Sequence, residues 1–339
     1  MVWCMWRRGY CVNWNLETEL WTHLFDELLR ADPREHALVA TAPLFAPAAI
    51  DDTMQQVVFE EFGFPAFCRV ASAEMSVRSS AQSAPTTPSC HLVIDSGFSF
   101  THVVPVINGR VARDAVKRVN VGGKLLTNYL KQIVSYRQYN VMDEAVVMNE
   151  LKEALCYCSL SFTDDVKRLH ADRNARARWL LPDFVRTFHG RRLEATDDPS
   201  KFSADPQIVE MGLERVTVPE VLFHPSDIGI EQAGLAETIM QSLALCPRET
   251  QSTLLANVLL VGGNTKLPNF AERLVQDLRP LAPCDVGIQT HSPPEYVIVG
   301  SVMACNNDCN VDLLWTVRSW RHGRDADSSL QMQTTTIAS

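Results

Sequence analysis

The sequence predicts an α/β protein of two lobes, and three observations carry that expectation. At 339 residues the chain exceeds what one hydrophobic core usually serves. Its first third alternates short apolar runs with amphipathic stretches of helical period, the pattern of parallel β-α-β units. From His91 to Arg110 it then reads as a meander: an apolar strand at Leu92–Ile94, an Asp95-Ser96-Gly97 turn, a strand from Phe100 to Ile107, and an Asn108-Gly109 turn into a third strand. Asn-Gly is a strong hairpin signal because both residues tolerate positive φ.

The elements follow in order. Leu16, Leu20, Leu24 and Leu28 recur at helical spacing, with Asn15 as the expected cap. His36 to Thr41 reads as a buried strand, Ala48 to Phe62 as a second helix with Met54, Val57, Val58 and Phe62 on one face, and Phe64 to Val70 as the next strand. Ser79 to Ser89 is uncharged and low in complexity, which predicts a flexible surface loop. After the meander, helices are expected over Gly122–Tyr136 and Met142–Ser159. Lys167, Arg168, Arg173, Arg176, Arg178, Arg186, Arg191 and Arg192 then interrupt the acidic balance; a solvated loop and helix face, or a docking patch for an acidic partner, both suit such a run. Beyond Pro219, Ala233-Gly234 opens a helix that Cys246-Pro247 closes, Leu254 to Val261 is an apolar strand, and a helix spans Pro268 to Leu278. The tail after His322 is polar and reads as disordered.

Composition narrows the functional classes. A formal charge of −9 argues against a generally nucleic-acid-binding surface. The ten cysteines are scattered through apolar segments without a Cys-x-x-Cys pair, so reduced thiols are expected, with no metal site. No apolar run reaches the length of a membrane helix and the first residues do not form a signal peptide, so a soluble intracellular protein is expected.

Two stretches are suited to phosphate chemistry. A turn carrying Asp95, Ser96 and Gly97 can bring backbone N–H groups to an anion while the carboxylate reaches a phosphate-bound metal; equally, the Asp can cap its own turn. Val258 to Thr265 joins a strand, Gly262-Gly263 and a helix start, another place where N–H groups gather. Lys152 and Glu153, adjacent on a helix, point to different sides and would both be assigned to a solvated face on composition alone.

These residues together resemble the actin family. The carriers are Ile94-Asp-Ser-Gly-Phe-Ser-Phe-Thr-His-Val-Val-Pro105, Arg118-Val-Asn-Val-Gly-Gly-Lys-Leu-Leu-Thr-Asn-Tyr-Leu130, Asn140-Val-Met-Asp-Glu144 and Val218-Pro-Glu-Val-Leu-Phe-His-Pro-Ser-Asp-Ile-Gly-Ile230. Within the family they are most similar to a nuclear actin-related class. The resemblance implies the actin fold, the two-lobed plan shared with sugar kinases and heat-shock ATPases. Its implied division is a first lobe at 1–79, a loop at 80–88, a second lobe at 89–296 with a helical insertion at about 122–230, and a C-terminal segment at 297–339 returning to the first lobe. It implies a nucleotide site of Asp95, Ser96, Gly97, Gly123, Lys152, Glu153, Gly262 and Gly263, with the lysine and glutamate beside base and ribose and Gly123 near the ribose.

Departures from the family pattern shape the functional expectation. The family's first phosphate loop and upper subdomain have no counterpart, so a truncated first lobe is expected. Phe98 and Ser99 replace an acidic residue and a glycine of the second loop, and Ser72 aligns with the glutamine that orients the attacking water. A serine is too short for that task. The expected protein is therefore not an enzyme, has no catalytic or metal-binding residues, and binds ATP weakly or not at all. The class implies a nuclear subunit of a Swr/SRCAP-type chromatin remodeller supporting variant-histone exchange. Its implied partners are the remodeller's motor, a zinc-finger HIT-type subunit and, through the complex, the nucleosome, with no membrane. An ATP-hydrolysing enzyme and a cytoskeletal actin-like protein are the rival classes; each needs parts this sequence does not show.

Overall fold

The structure, a computed structural model, describes residues 6–7, 9–82, 90–172, 175–194, 196–202, 205–292 and 303–305. Arg173, the segment near Val297 and the tail after His322 lie outside them. The chain divides into two compact units: 1–89 with 108–111 and 293–339, and 90–107 with 112–292.

In the first unit, helix α1 (Trp14–His23) is capped by Asn13, not Asn15: the Asn13 carboxamide accepts from the Leu16 amide at 3.4 Å. The helix continues as a π-helical turn over Leu24–Leu29. That extra residue per turn shifts the inward face, and the leucine stripe is not the core stripe. Leu20 is half exposed, whereas Phe25 is buried among Phe62 and Phe64 with ring centroids 5.4 and 5.3 Å away. Strand β1 (Ala37–Ala42) alternates inward and outward, pairs in parallel with β2 (Phe67–Ala71), and takes the strand Met303–Cys305 antiparallel on its other edge. Between them α2 (Ala48–Gln56) also passes into a π turn, Val57–Glu61, burying Met54, Val57 and Val58. Helix α3 spans Ser72–Gln82, so the expected loop does not begin at Ser79. Ser and Ala tolerate a helix as readily as a loop once tertiary contacts choose. Residues 83–89 lie outside those described.

The second unit is built on β3 (Cys90–Ser96), β4 (Thr101–Ile107) and β5 (Lys117–Val119), successive antiparallel neighbours. Asn108 and Gly109 adopt φ of 52° and 75°, as a type I′ turn requires. On the other edge of β3 lies β9 (Val258–Val261), parallel, followed by the parallel β10 (Thr290–His291). Strand β3 is buried on both faces, which is why it reads as a continuous apolar run. Helices α4 (Gly123–Arg137) and α5 (Ala145–Leu155) press Leu126, Leu130, Val134, Met148, Leu151 and Leu155 into the same core as Leu92, Ile94 and Leu260. Helix α5 is shorter than the expected 142–159 and stops before Cys156, whose amide caps back to Lys152.

The stretch from Gly122 to Ile230 is not wholly helical. After α6 (Phe162–Ala171), three short strands form their own antiparallel sheet: β6 (Ala177–Leu180) in the centre, with β7 (Arg191–Leu193) and β8 (Ile208–Met211) on its sides. These strands escape a periodicity reading because they are three or four residues long, and β6 and β7 carry Arg178, Arg191 and Arg192. The basic run therefore covers a helix end and a hairpin. Several of its cations are engaged within the chain: Arg168 with Asp165, Arg176 with Glu210 and Arg192 with Glu194. Helices α7 (Glu214–Glu220), α8 (Leu235–Leu243), α9 (Arg248–Leu255) and α10 (Phe270–Leu278) complete the unit, with Gly234 capping α8 and Pro247 leading into α9. Among the described residues no helix is long and apolar enough to cross a membrane.

Candidate functional site

Parallel pairing of β3 and β9 places Asp95 opposite Val261, so their two C-terminal turns emerge side by side. Asp95 and Ser96 are the last residues of β3, not turn residues. The turn itself is Gly97–Phe100, closed by the Gly97 amide donating to the Phe100 carbonyl at 3.1 Å. Sequence reading misplaced it by two positions because a short polar pair ahead of a glycine looks like the turn it precedes.

Ser96 is completely buried and works inside the fold. Asn264 Nδ2 donates to Ser96 Oγ at 3.1 Å, Ser96 and Thr101 hydroxyls lie 2.9 Å apart, and Thr101 donates to the Val121 carbonyl at 2.9 Å. Since the Thr101 proton goes to Val121, Ser96 donates to Thr101, and the chain of bonds runs in one direction. Asn264 also donates to the Gly97 carbonyl at 2.8 Å. It was not among the expected site residues, yet it binds both turns together; its position directly after two glycines was the available signal.

Gly262 has φ of 93°, and a Cβ there would lie 2.3 Å from the Ser96 carbonyl oxygen. Gly263 begins the short helical turn that carries Asn264. Gly123 opens α4, and its amide and that of Lys124 donate to the carbonyls of Gly97 and Phe98 at 3.0 and 2.8 Å. These helix-terminal donors are spent on the turn. Gly122, which sequence reading passed over, is the tighter of the pair: a Cβ on it would approach Phe100 N to 2.5 Å and Phe98 O to 2.6 Å.

Lys152 is buried, not solvated. Its ammonium donates to Asn149 Oδ1 at 2.8 Å, Thr127 Oγ1 at 3.1 Å and the Gly123 carbonyl at 3.3 Å. Burial lowers its pKa, opposed by the neighbouring Glu153 carboxylate. Glu153 faces solvent and accepts from Asn149 Nδ2 at 2.8 Å. Seven of the eight expected residues thus converge around the two turns, with Glu153 on the outer side of α5. Asn149 links it back to Lys152.

Burial raises the pKa of Asp95. His102, its cross-strand neighbour, is pushed down to about 4, first by burial and then by the Arg118 charge. Its imidazole packs against Phe100 with centroids 4.3 Å apart and the rings tilted by 41°, and the Arg118 guanidinium lies 4.2 Å over the same phenyl ring. His102 is therefore neutral near pH 7. Phe98, at the exposed crown of the turn, presents its ring to solvent (61% exposed).

A nucleotide's phosphates fit this arrangement in part. Gly97 is not crowded: a Cβ there would make ordinary contacts, at 3.8 Å, with the Asp95 carboxyl and the Phe100 carbonyl oxygen. A phosphate approaching the Gly97 backbone would therefore come beside the Asp95 carboxyl. Against this, the N–H groups at the start of α4 and the Lys152 ammonium are already committed within the chain. Among the described residues, no three His, Cys, Asp or Glu side chains gather as a metal site.

Comparison with known proteins gives a consistent result. The family model described as Actin matches residues 2–308. "Actin-like protein ARP6" of Yarrowia lipolytica is 38% identical over 84% of this chain and 71% of its own length. "Actin-related protein 6" of Oryza sativa is 37% identical over 83% of this chain and 73% of its own. The Arabidopsis thaliana protein of the same name is 37% identical over 89% and 78%.

Proposed function

This chain belongs to the actin family, and from that premise we propose that it is a non-catalytic actin-related subunit of a Swr/SRCAP-type chromatin remodeller in the nucleus. In that role it supports exchange of a variant histone into nucleosomes, alongside the remodeller's motor and a zinc-finger HIT-type subunit, and reaches the nucleosome through the complex. The similarity to relatives named actin-related protein 6 supports the class.

The observation that carries the non-enzymatic reading is the Gly97–Phe100 turn. Its crown is an exposed phenyl ring where the family places an acidic residue, and its carbonyls, not its amides, face the start of α4. Phosphoryl transfer relies on aligned donors and a positioned nucleophile. Asp95 could hold water around a phosphate-bound cation, and Gly97, lacking a side chain, would let the phosphate chain approach the backbone. Gly262, Gly263 and Gly123 would line the nucleotide's flank, with Lys152 fixing Gly123 from behind. Bound ATP would supply phosphate charge to brace the two turns against one another. Each charge-assisted hydrogen bond contributes about 1.5–3 kcal/mol, so committed donors weaken binding accordingly. ATP affinity no tighter than high micromolar is the expected result.

The test is histone exchange by the remodeller reassembled with and without this chain. Exchange should require the chain and survive Asp95→Ala. A steady phosphate release from the isolated chain that vanishes in Asp95→Ala overturns the non-catalytic reading; exchange that proceeds equally without the chain overturns the subunit reading.

A further inference from the structure

Away from the site, the hairpin between β6 and β7 carries a loop whose construction and composition are at odds. The Asp183 carboxylate accepts from the amides of Val185, Arg186 and Thr187 at 3.0, 2.8 and 2.9 Å. The Phe184 amide closes the turn on the Thr187 carbonyl at 2.9 Å, with Phe184 held at φ of 53°. At the stem, Glu150 on α5 lies 2.8 Å from His189 Nδ1 and accepts from the Gly190 amide at 3.4 Å. The loop satisfies its own backbone and is fastened at its base. A rigid loop of this kind ordinarily shows polar side chains to water. Here it shows Phe184, Val185 and Phe188, which are 57%, 82% and 67% exposed. Three large apolar groups gathered on one stiff tip mark an interaction site more often than an accident of surface composition.

The charge around the tip indicates what receives it. Residues 177–193 contain four arginines (Arg178, Arg186, Arg191 and Arg192) and a single acid, Asp183, which is consumed inside the loop, while the whole chain carries −9. Arg178 bonds the Glu194 carbonyl, Arg191 lies over the Phe202 ring and Arg192 pairs with Glu194. Arg186 sits among the apolar groups and forms no ion pair among the described residues. A nucleic acid would answer the arginines but offers phenyl and isopropyl groups no dry cavity along its phosphates. We infer that the Phe184–Phe188 tip is a plug that docks a protein partner, one presenting an apolar pocket with an acidic rim opposite Arg186. A stiff tip loses little entropy on docking, so its burial is retained as affinity.

The inference rests on the reading of this chain as a subunit, and one experiment separates the two. The probe is the purified remodeller motor with the zinc-finger HIT-type subunit, assembled without this chain. Its affinity is measured for the wild-type chain, for Phe184→Ser/Val185→Ser/Phe188→Ser, and for Arg186→Glu. The triple variant should bind at least about tenfold more weakly, and Arg186→Glu should lose a smaller factor that shrinks with added salt. Both should melt with the wild type, since the altered side chains are exposed. Equal binding of wild type and triple variant overturns the plug and leaves the subunit reading standing. Failure of the wild type itself to bind overturns the subunit reading and the plug with it. A triple variant that assembles normally but loses affinity for nucleosomal DNA makes the tip a nucleic-acid contact and overturns the protein-docking assignment.

Discussion

Two glycine turns stand side by side at the ends of β3 and β9, and they hold glycine for opposite reasons. At Gly262 the fold itself demands it: φ is 93° and a methyl group would sit 2.3 Å from the Ser96 carbonyl of the neighbouring turn. At Gly97 the backbone has no left-handed φ, and a methyl group would find ordinary contacts at 3.8 Å. The first glycine is spent on packing two turns together. The second is not required by packing or by φ, and it lies beside a carboxyl whose pKa burial raises. The difference separates scaffold from site within a few ångströms of chain.

The sharpest way to break that contrast is Gly262→Ala. Clash with a fixed backbone plus a glycine-only conformation should cost about 3–5 kcal/mol, read as a fall in the denaturant midpoint. A loss below about 1 kcal/mol would mean the two turns can part freely. Next comes Lys152→Met, which removes the bonds donated to the Gly123 carbonyl, Thr127 and Asn149, although Thr127 and Asn149 still bond one another. It also removes a charge whose burial was unfavourable, so the net loss should be about 1–3 kcal/mol.

His102 gives a pH test of the β3–β4 edge beside Asp95. Its folded pKa of about 4 lies below the ordinary 6.5, so the unfolded chain binds the proton first. Its contribution is fully present above about pH 6.5 and is lost as pH falls toward 4. Between pH 7 and 5 the wild type should lose about 2 kcal/mol more stability than His102→Gln. Parallel pH profiles for the two proteins would show that the ring is not held neutral. The smallest stability effect is expected from Gly97→Ala, under about 1 kcal/mol. Thermal-shift titration with ATP and magnesium should nevertheless show any weak stabilisation of the wild type abolished in this variant. A large stability loss there would make Gly97 scaffold too and dissolve the contrast.

Much of this was legible before any coordinates. The β3–β4 pair announces itself by uniform apolarity, Asn108-Gly109 marks the turn that follows β4, and the structure gathers Asp95, Gly97, Gly123, Lys152 and Gly262 around two neighbouring turns. What sequence could not show was which partner each polar group finds. Lys152 reads as solvated until its three acceptors are known. Asn264 is one amide among many until a neighbour 168 residues away is brought to it. The π turn after α1 hid Phe25 behind the leucine stripe because one added residue rotates the inward face, whereas the face expected of α2 is the one buried. Strands β6 and β7 hid behind their arginines, and β8 is too short to show a period.

The bond from Asn264 to Ser96 also bears on the order in which the protein can be made. Loop closure over 168 residues is an entropic cost that local helices do not share. During synthesis, β3 and β4 leave the ribosome long before β9 exists, and β3 must wait with one fully apolar edge unpaired. The junction of the two turns is therefore completed among the last events of this unit's folding. A nascent chain stalled ahead of Val258 would present that bare edge to chaperones or to other copies of itself.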